Sequence, residues 1–381
     1  MRGHIRRRGA NSWEIKYDIG KDNDGKRQTV HKSFKGTRKE AEAELNRLLA
    51  QVADGGHVNP SKLTVTEYLR ARLEHWRTMG TVSPQTAERY EGLIEHQIVP
   101  FLGAKPLQKL TTHDIEKWHA TLLTKGREDG KGGVSTRTVG HAHRVLAKAM
   151  REATRHELVM RNPCASQPAP KVEAEKMHIL TPQQVEGLPA LLDGRELAAP
   201  ALVALFAGLR RGELLALRWG RVNLDAKLIQ VRESLEQTKA GLRFKPPKSK
   251  AGIRDVTLPS VVVETLRAHR KRLLERRVLL GQGKLGDNDL VFPALDGSPQ
   301  NPNYFSTAWG RLAQELKLAV SFHELRHTHA SQLIDANVDV MTIAHRLGHS
   351  SPAVTLQVYA HLFRKDDSKA AEAINAALGT T

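Results

Sequence analysis

The chain has 381 residues, of which 40% are hydrophobic, and this length favours two or three domains with buried cores. It carries 59 Lys and Arg against 41 Asp and Glu, a formal net charge of +18. The excess is spread along the chain, with +5 over residues 1–60, +7 over 61–172 and +6 over 173–381. This distribution favours a protein that contacts a polyanion along much of its length over one with a single basic tail.

The cysteine content and the apolar runs limit where the protein works. Cys164 is the one cysteine, which excludes an intramolecular disulfide and a cysteine-based zinc site and indicates a reducing compartment. No apolar run reaches the roughly 18 residues that span a bilayer. The N-terminus lacks the apolar segment of a secretory signal. We therefore expect a cytoplasmic protein without a membrane partner.

Residues 1–56 are predicted to form a small domain, a three-stranded sheet with one helix. Apolar and polar residues alternate over residues 12–19, as in a half-buried strand. Residues 4–8 and 26–34 continue as further strands, and a helix follows from the capping box at Thr37. Such a sheet could lay one face into a major groove, although an inert basic hairpin explains the same pattern. The candidate DNA contacts are Arg6, Arg7, Arg8, Lys16, Arg27 and Lys32.

The next segment, residues 62–166, has the pattern of a four-helix domain. Its helix starts are marked by capping residues, namely Thr64, Ser83, Thr112 and Ser135. A break between the second and third helices is predicted over residues 100–106, which begin and end with proline. Basic residues on the fourth helix could follow a phosphate backbone, or they could form an ordinary solvated face. These residues are Arg137, His141, Arg144 and Lys148.

Residues 174–381 are predicted to form a mixed α/β domain that is mostly helical. Its helices are expected from the Thr181 capping box onward and at 201–209, 261–277, 304–316, 323–335, 340–347, 353–363 and 367–378. Its short strands are expected at 228–232, 242–245 and 252–258. The chain as a whole is thus predicted to be multidomain and mainly α, with small β elements.

One stretch of this last domain gathers polar groups that suit a phosphate ester. His323, Arg326, His349 and Tyr359 fall within 37 residues, among apolar residues at helical spacing. A guanidinium, imidazoles and a phenol are better suited to a phosphate ester than to an apolar substrate.

The same stretch contains H-E-x-x-H over residues 323–327, a zinc motif of metalloproteases. On a helix the two histidines would share a face, and Glu324 could act as a base. However, Leu333 stands where the longer form of the motif has a third histidine, and the next glutamate is Glu372. We therefore expect no metal or other cofactor at this motif, and a metalloprotease is the least favoured alternative.

A larger set of motifs stands in the order and rough spacing of one family. The motifs are Gly208-Leu209-Arg210-Arg211-Gly212-Glu213-Leu214, Lys248 in a basic loop, His323-x-x-Arg326, Leu347-Gly348-His349 and Val358-Tyr359-Ala360-His361. Over about residues 175–365 the chain resembles the tyrosine recombinase (phage integrase) family. The preceding helical segment resembles the core-binding domain of that family, and the first 55 residues resemble the arm-binding domain of its longer integrases.

The resemblance implies which residues meet the scissile phosphate. Arg210 and Arg326 would bind it and stabilise the charge that develops in the transition state. Tyr359 would be the nucleophile. His323 would be its base or a hydrogen-bond donor to the phosphate, and His349 a further donor.

Two assignments that the resemblance implies concern supporting chemistry. Lys248 would protonate the leaving 5′-hydroxyl, with Lys250 as the alternative. Glu213 would hold an arginine or a histidine in place. The remaining histidines near the motifs are interpreted as structural or solvent-facing, namely His327, His329, His345 and His361.

The resemblance implies a site-specific recombinase that integrates, and is also expected to excise, phage or mobile-element DNA through a 3′-phosphotyrosyl intermediate. It implies double-stranded DNA as partner, a homotetramer on that DNA, a tail helix over residues 369–378 that docks on a neighbour, and no cofactor. A host DNA-bending protein and a directionality factor are possible partners, and the protein would be nucleoid-associated and encoded by a bacterium or a phage. The alternative is a catalytically idle DNA-binding protein of the same fold.

Overall fold

The computed structural model describes residues 3–21, 27–53, 61–173, 177–363 and 374–378. The chain divides into two compact units, residues 1–173 and 174–381. The predicted boundary between an N-terminal domain and a helical domain falls at residues 54–60, outside the described residues, so the division into three domains stays a prediction. No helix in the described ranges is long and apolar enough to cross a membrane.

The first unit begins with the predicted three-stranded sheet. It consists of β1 (Gly3–Gly9), β2 (Ser12–Lys21) and β3 (Arg27–Lys35), antiparallel in the order β1-β2-β3. Most of the predicted turn after Lys21 lies outside the described residues. Strand alternation turns Ile15 and Tyr17 to one face, where they form a small core with Leu48 and Val52 of helix α1 (Arg38–Ala53).

The rest of the first unit is a helical bundle. Its elements are α2 (Val65–Thr78), α3 (Pro84–Leu93), a π-helical turn (Ile94–Ile98), α4 (Val99–Leu102), α5 (Thr112–Lys125) and α6 (Thr136–Arg155). Trp76, Ile94 and Trp118 are among the fully buried side chains of its core.

Two details of the bundle differ from the sequence expectation. The predicted break over residues 100–106 is present but begins after Leu102 and not at Pro100, because the helix continues through the π-helical turn and α4. The wider i→i+5 turn re-pairs the backbone next to a proline that has no N–H to donate. The cap of α5 is Thr111 rather than Thr112, since the Thr111 hydroxyl accepts from the N–H of Asp114.

The second unit packs helices around a small amount of sheet. Its helices are α7 (Pro182–Leu191), α8 (Ala198–Ala207), α9 (Arg211–Leu215), α10 (Ser260–Leu279), α11 (Pro302–Glu315), α12 (Phe322–Asp335), α13 (Val340–Leu347) and α14 (Pro352–Tyr359). Its strands are β4 (Val222–Asn223), β5 (Leu228–Val231), β6 (Ser234–Thr238), β7 (Gly241–Lys245) and β8 (Arg254–Thr257). They pair antiparallel as β4-β5-β8 and as β6-β7.

Helix α8 is the centre of this unit, since almost all of its residues are buried in the largest apolar cluster. The sequence predicted α8 and the five helices from α10 to α14, but α14 ends at Tyr359 and not at Phe363. Strands β4 and β6 were not predicted. Of the predicted tail helix, residues 374–378 are helical, while residues 367–373 lie outside the described part of the chain.

Two glycines that end helices shape the site described below. Gly208 ends α8 with φ 68°, and Gly348 ends α13 with φ 63°, both in the left-handed region. A Cβ on Gly208 would lie 2.5 Å from the His329 ring, and a Cβ on Gly348 would lie 2.8 Å from Nη1 of Arg254. Glycine is therefore required at both positions by conformation and by space.

Candidate active site

The candidate site is formed where four segments of the second unit meet. Arg210 immediately precedes α9, while His323 and Arg326 lie one turn apart on α12. His349 follows α13, and Tyr359 is the last residue of α14. The charges of Arg210 and Arg326 both act on His349 and on Tyr359, which places these groups in one electrostatic environment.

Arg326 is the buried centre of the site, with only 3% of its surface exposed. Its Nη1 donates to the Gly208 carbonyl at 2.6 Å and its Nη2 to the Leu347 carbonyl at 2.5 Å. These carbonyls end α8 and α13, where the helix dipoles favour a cation. Burial, together with the charge of Arg210, lowers the pKa of Arg326, but a guanidinium remains protonated at neutral pH. The result is a fixed positive charge in a largely dry environment.

Arg210 is held from two sides and remains partly accessible. Its Nη1 donates to Oε1 of Glu213 at 2.7 Å, and its Nη2 donates to the Gly348 carbonyl at 2.9 Å. Its backbone N–H donates to the second oxygen of Glu213 at 2.9 Å, closing the first turn of α9. Because 38% of the Arg210 side chain is exposed, it can meet a ligand at the surface.

Glu213 is in turn fixed by an arginine that the sequence analysis did not single out. Arg254, at the start of β8, donates to the two carboxylate oxygens of Glu213 at 3.2 and 2.9 Å, and its Nε donates to the Arg346 carbonyl at 2.6 Å. Burial alone would raise the pKa of Glu213, but the charges of Arg254, Arg210 and Arg326 outweigh it and keep that pKa below its usual value. Glu213 thus lies between two arginines, as a residue that holds Arg210 in place.

The histidines of the site are neutral at physiological pH. Burial and the charges of Arg326 and Arg210 lower the pKa of His349 to about 4. The His323 side chain is exposed on one side. The protein atoms around the rest of the ring displace water from it, and this desolvation lowers the pKa of His323, with smaller contributions from His327 and Arg326. Nδ1 of His349 lies 2.8 Å from the hydroxyl of the buried Thr355, which fixes the orientation of the ring. A neutral imidazole can donate a hydrogen bond to a phosphate or accept a proton.

Tyr359 is almost fully buried, with 1% of its surface exposed, and packs against Ile343 and Leu347. Its Oη lies 2.6 Å from Nδ1 of His327. Burial raises the pKa of Tyr359 to about 12, although Arg326 and Arg210 oppose the shift. The phenol is therefore protonated at neutral pH. From the sequence, His327 is interpreted as structural or solvent-facing, because nothing local to it indicates a contact with a residue 32 positions away.

The predicted lysine lies outside the four segments that carry these residues. Lys248 and Lys250 are both exposed in the loop between β7 and β8, and Lys250 begins a short 3₁₀ turn. Lys245 pairs with Glu236 on the neighbouring strand. The choice between Lys248 and Lys250 as proton donor stays a prediction.

The H-E-x-x-H residues are occupied by other contacts. His323 and His327 do share a face of α12, with ring centroids 4.8 Å apart. The Glu324 carboxylate, however, accepts from the backbone N–H groups of Ser321 at 2.6 Å and His178 at 3.2 Å, so it caps α12. Within the described ranges, no three His, Cys, Asp or Glu side chains form a group that could hold a metal ion.

The candidate DNA contacts of the N-terminal sheet fall on two faces. In the strand register Arg6 is opposite Glu14, and Lys16 is opposite His31, on the face away from α1. Arg8 pairs with Glu14 at 2.7 Å on that same open face.

The other candidates in the sheet are placed differently. Lys32 is opposite Ile15, on the face that α1 covers, and it pairs with Glu44 of that helix at 2.7 Å. Arg7 is opposite Trp13 on that covered face and donates to the Gly9 carbonyl at 3.1 Å. Arg27 begins β3.

On α6, the predicted basic residues are only partly available. Arg137 and Arg144 are exposed, and Nη2 of Arg144 lies 2.5 Å from Nδ1 of His141. The Lys148 ammonium lies 4.1 Å from the centroid of the Trp76 ring, a cation–π contact inside the bundle. The open sheet face and the exposed end of α6 are thus the candidate nucleic-acid surfaces of the first unit.

Comparison with known families gives two matches. Residues 178–366 match the phage integrase family, and residues 68–123 match the phage integrase N-terminal SAM-like domain. A XerC-like tyrosine recombinase of Caldanaerobacter subterraneus is 26% identical, covering 96% of this chain and 96% of its own. An integrase of Streptomyces ambofaciens is 28% identical, covering 91% of this chain and 88% of its own.

Solved structures share the fold at lower identity. The Tn1549 transposon integrase in complex with transposon right end DNA matches with a TM-score of 0.67 and 21% identity, over 84% of this chain and 100% of the other. A lambda integrase dimer bound to a COC′ core site matches with a TM-score of 0.55 and 20% identity, over 77% of this chain and 97% of the other.

The fold, the arrangement of Arg210, Arg326 and Tyr359, and these matches together define the class, which is a site-specific recombinase enzyme. The chain belongs to the phage integrase family of tyrosine recombinases.

Proposed function

We propose that this protein cleaves and rejoins double-stranded DNA at specific sites, with Tyr359 as nucleophile, to integrate phage or other mobile DNA. The observation that carries the proposal is the placement of one tyrosine hydroxyl among two fixed arginines and neutral histidines. The integrases of Streptomyces ambofaciens and of the Tn1549 transposon support the choice of mobile DNA as substrate. Excision of the same DNA would be the reverse reaction.

Each residue of the site has its own role in one cleavage step. Oη of Tyr359 gives its proton to a neutral histidine of the site and attacks a DNA phosphorus, and the P–O5′ bond breaks to leave a 3′-phosphotyrosyl link. Arg210 and Arg326 bind the non-bridging oxygens, whose charge grows in the transition state. His323 and His349 donate further hydrogen bonds to those oxygens. Lys248 gives a proton to the leaving 5′-oxygen, and Glu213 keeps Arg210 in place.

Rejoining reverses these steps with the 5′-hydroxyl of a partner strand. Because the phosphotyrosyl link keeps the energy of the original phosphodiester, the reaction consumes no nucleotide. The charge stabilisation that Mg²⁺ provides in many phosphoryl transferases would come from the arginines.

Recombination of two duplexes requires four strands to be cut, so we propose a homotetramer on DNA. The lambda integrase, which also matches this fold, forms a tetramer bound to a Holliday junction. The predicted tail helix over residues 369–378 would dock on a neighbouring subunit, with Ile374 and Leu378, both exposed in the described part of the tail, as apolar contacts. The work would take place in the cytoplasm, at the nucleoid. A host DNA-bending protein and a directionality factor would complete the assembly.

The first unit would contribute DNA binding away from the scissile phosphate. We propose that its N-terminal sheet is an arm-type domain, that residues 62–166 are the core-binding domain, and that residues 174–381 are the catalytic domain. Arg6, Arg8 and Lys16 on the open sheet face, and Arg137 and Arg144 on α6, would contact phosphates.

A suicide-substrate assay tests the proposal. The protein is incubated with nicked duplexes from a candidate attachment region in EDTA, and a covalent protein–DNA adduct is sought. The adduct is expected to form with the unaltered protein and to vanish in Tyr359→Phe. Tyr304→Phe is the matched control, because Tyr304 is 77% exposed on α11, and it should retain the adduct. Tight binding without any adduct would instead favour an idle DNA-binding protein, and an adduct in Tyr359→Phe would refute the nucleophile.

A further inference from the structure

The nearest polar partner of the nucleophile is not the residue that the motifs single out as its base. His323 and His327 lie one turn apart on α12, on either side of Arg326. Of these two histidines, His327 is the one within hydrogen-bond distance of the nucleophile, with its Nδ1 2.6 Å from Oη of Tyr359. The rings of His327 and Tyr359 meet edge to face, with centroids 5.6 Å apart. The ring of His323 stands perpendicular to that of His327, with centroids 4.8 Å apart.

The surroundings of Tyr359 leave its proton few destinations. With 1% of its surface exposed, Tyr359 is in contact with protein and hardly with solvent. The neighbouring guanidiniums of Arg210 and Arg326 have no acceptor and cannot take a proton. An imidazole is the one side chain type here that is neutral near pH 7 and can accept a proton reversibly.

We propose that His327 is a catalytic residue that accepts the proton of the Tyr359 hydroxyl as this oxygen attacks the scissile phosphate. The inference rests on the proposed function of Tyr359 as nucleophile. In the forward step the phenol O–H bond breaks, the O–P bond forms, and the proton moves to Nδ1 of His327, giving an imidazolium. The P–O5′ bond breaks at the same phosphorus, and the leaving 5′-oxygen takes a separate proton from Lys248 in the loop between β7 and β8. His323 and His349 then donate hydrogen bonds to the non-bridging phosphate oxygens.

The reverse step uses the same group. When a 5′-hydroxyl attacks the phosphotyrosyl link, its proton returns to the lysine that protonated the 5′-oxygen in cleavage. The phenolate leaves, and the imidazolium of His327 returns the phenol proton to it. His327 is thus a base in cleavage and an acid in rejoining. This cycle requires a neutral His327 with Nδ1 unprotonated before cleavage, and burial together with the Arg326 charge lowers the pKa of His327, which favours the neutral ring.

The test compares single-turnover cleavage of a suicide substrate by the full-length protein and by His327→Asn. Asparagine places an amide near the position of Nδ1, so it can keep a hydrogen bond to the phenol but cannot take up its proton. Loss of a general base predicts cleavage that is about 10²- to 10⁴-fold slower, with DNA binding unchanged. The matched control is His345→Asn, exposed on α13, which should cleave at the unaltered rate.

A second measurement separates proton transfer from a purely structural contact. A fluorinated tyrosine at position 359 has a more acidic phenol, which depends less on a base. The substitution is expected to accelerate His327→Asn far more than it accelerates the protein with His327 intact. Because each comparison is made within one variant, partial destabilisation by the histidine change does not affect the ratio.

The possible outcomes are distinct. Equal acceleration in both backgrounds overturns the proposal, as does unaltered cleavage by His327→Asn. Faster cleavage by His327→Asn also overturns it, because the contact would then hold the tyrosine in a resting position. Slow cleavage in His323→Asn combined with normal cleavage in His327→Asn assigns the base to His323. If the unaltered protein forms no adduct at all, it is the proposed function that fails, and not this assignment.

Discussion

The two units of the chain use arginine in different ways. In the second unit Arg326 is 3% exposed and donates to carbonyls at the ends of two helices. In the first unit Arg8 is half-exposed, and its partner Glu14 lies on the open surface of the sheet. Both side chains carry one charge, but only the buried one is fixed by groups that cannot move away.

The difference shows what each surface is built for. A charge that acts on one phosphate in a transition state must be oriented in advance, and this accounts for burial and for backbone acceptors. A basic side chain along a DNA backbone contributes to the binding affinity by neutralising a phosphate, and it can do so without a fixed orientation. Substitutions in the second unit should therefore change the rate and the stability, and those in the first unit should change the affinity and its salt dependence.

The largest effect is expected from Arg326→Lys. Lysine keeps the positive charge, but its single ammonium cannot span the Gly208 and Leu347 carbonyls and the phosphate at once. Removal of one such oriented donor predicts a rate loss of about 10²- to 10³-fold. The rate of adduct formation on a suicide substrate measures it. Arg311→Lys, exposed on α11, is the control and should cleave normally, while normal cleavage by Arg326→Lys would show that a point charge suffices.

An effect on stability is expected from Arg254→Met. The side chains of Arg254 and Glu213 are 0% and 2% exposed, so the change leaves a buried carboxylate that keeps its ion pair with Arg210 but loses the one with Arg254. Breaking a buried ion pair in this way lowers the free energy of unfolding by about 3–5 kcal/mol. Urea denaturation of the full chain measures it.

Two comparisons sharpen this prediction. Arg232→Met removes a surface pair with Asp255 and should cost at most about 1 kcal/mol. The double variant Arg254→Met, Glu213→Leu should be more stable than Arg254→Met alone, since the carboxylate that Arg254 compensated is then removed as well. A double variant that loses the sum of both single losses would show that the ion pair is not the cause.

The helices and the N-terminal sheet were predictable because their signals are local. Apolar alternation predicted β2, and capping boxes predicted the starts of α2 and α7, as the structure confirms. The signal failed where a long-range contact decides the structure. Strand β6 contains the buried Glu236, which a local pattern does not place in a sheet, and its partner is Lys245 of β7.

The residues of the candidate site differ in how far a local signal can identify them. Arg210, His323, Arg326, His349 and Tyr359 stand in motifs with fixed order, so a family pattern could find them. Arg254 and His327 could not be found in this way, because their importance comes from contacts across 41 and 32 positions. A local motif can thus locate Arg210 or Tyr359, whereas the distant partners that the fold brings to them are visible only in the structure.

The stability of the second unit should depend on pH through the buried His329, which gives a further difference from the first unit. Burial lowers the pKa of His329 to about 3, and the charges of Arg346 and Arg326 add to it. Since an unfolded histidine has a pKa of about 6.5, the unfolded state binds the proton first on acidification. Stability is therefore fully present above about pH 6.5 and falls as the pH is lowered towards the folded pKa, by up to about 1.4 kcal/mol per pH unit.

Urea denaturation at several pH values, with His329→Gln, measures this dependence. The glutamine oxygen can accept from Nε of Arg346, as Nε2 of His329 does at 3.0 Å, but it does not titrate. The variant should show a flatter dependence between pH 6.5 and 4. His156→Gln, exposed in the first unit, should leave the dependence unchanged, and an unchanged dependence in His329→Gln would assign the acid sensitivity to another group.

The smallest effect is expected on the open face of the N-terminal sheet. If Lys16 contacts one phosphate, Lys16→Ala should reduce the slope of log affinity against log salt by about 0.9 and leave the cleavage rate at saturating DNA unchanged. Lys32→Ala is the matched control, because Lys32 lies on the face that α1 covers and pairs with Glu44. Titrations of a duplex at several salt concentrations distinguish the two lysines. Equal loss of affinity from both would show that the sheet binds DNA through its general charge and not through one face.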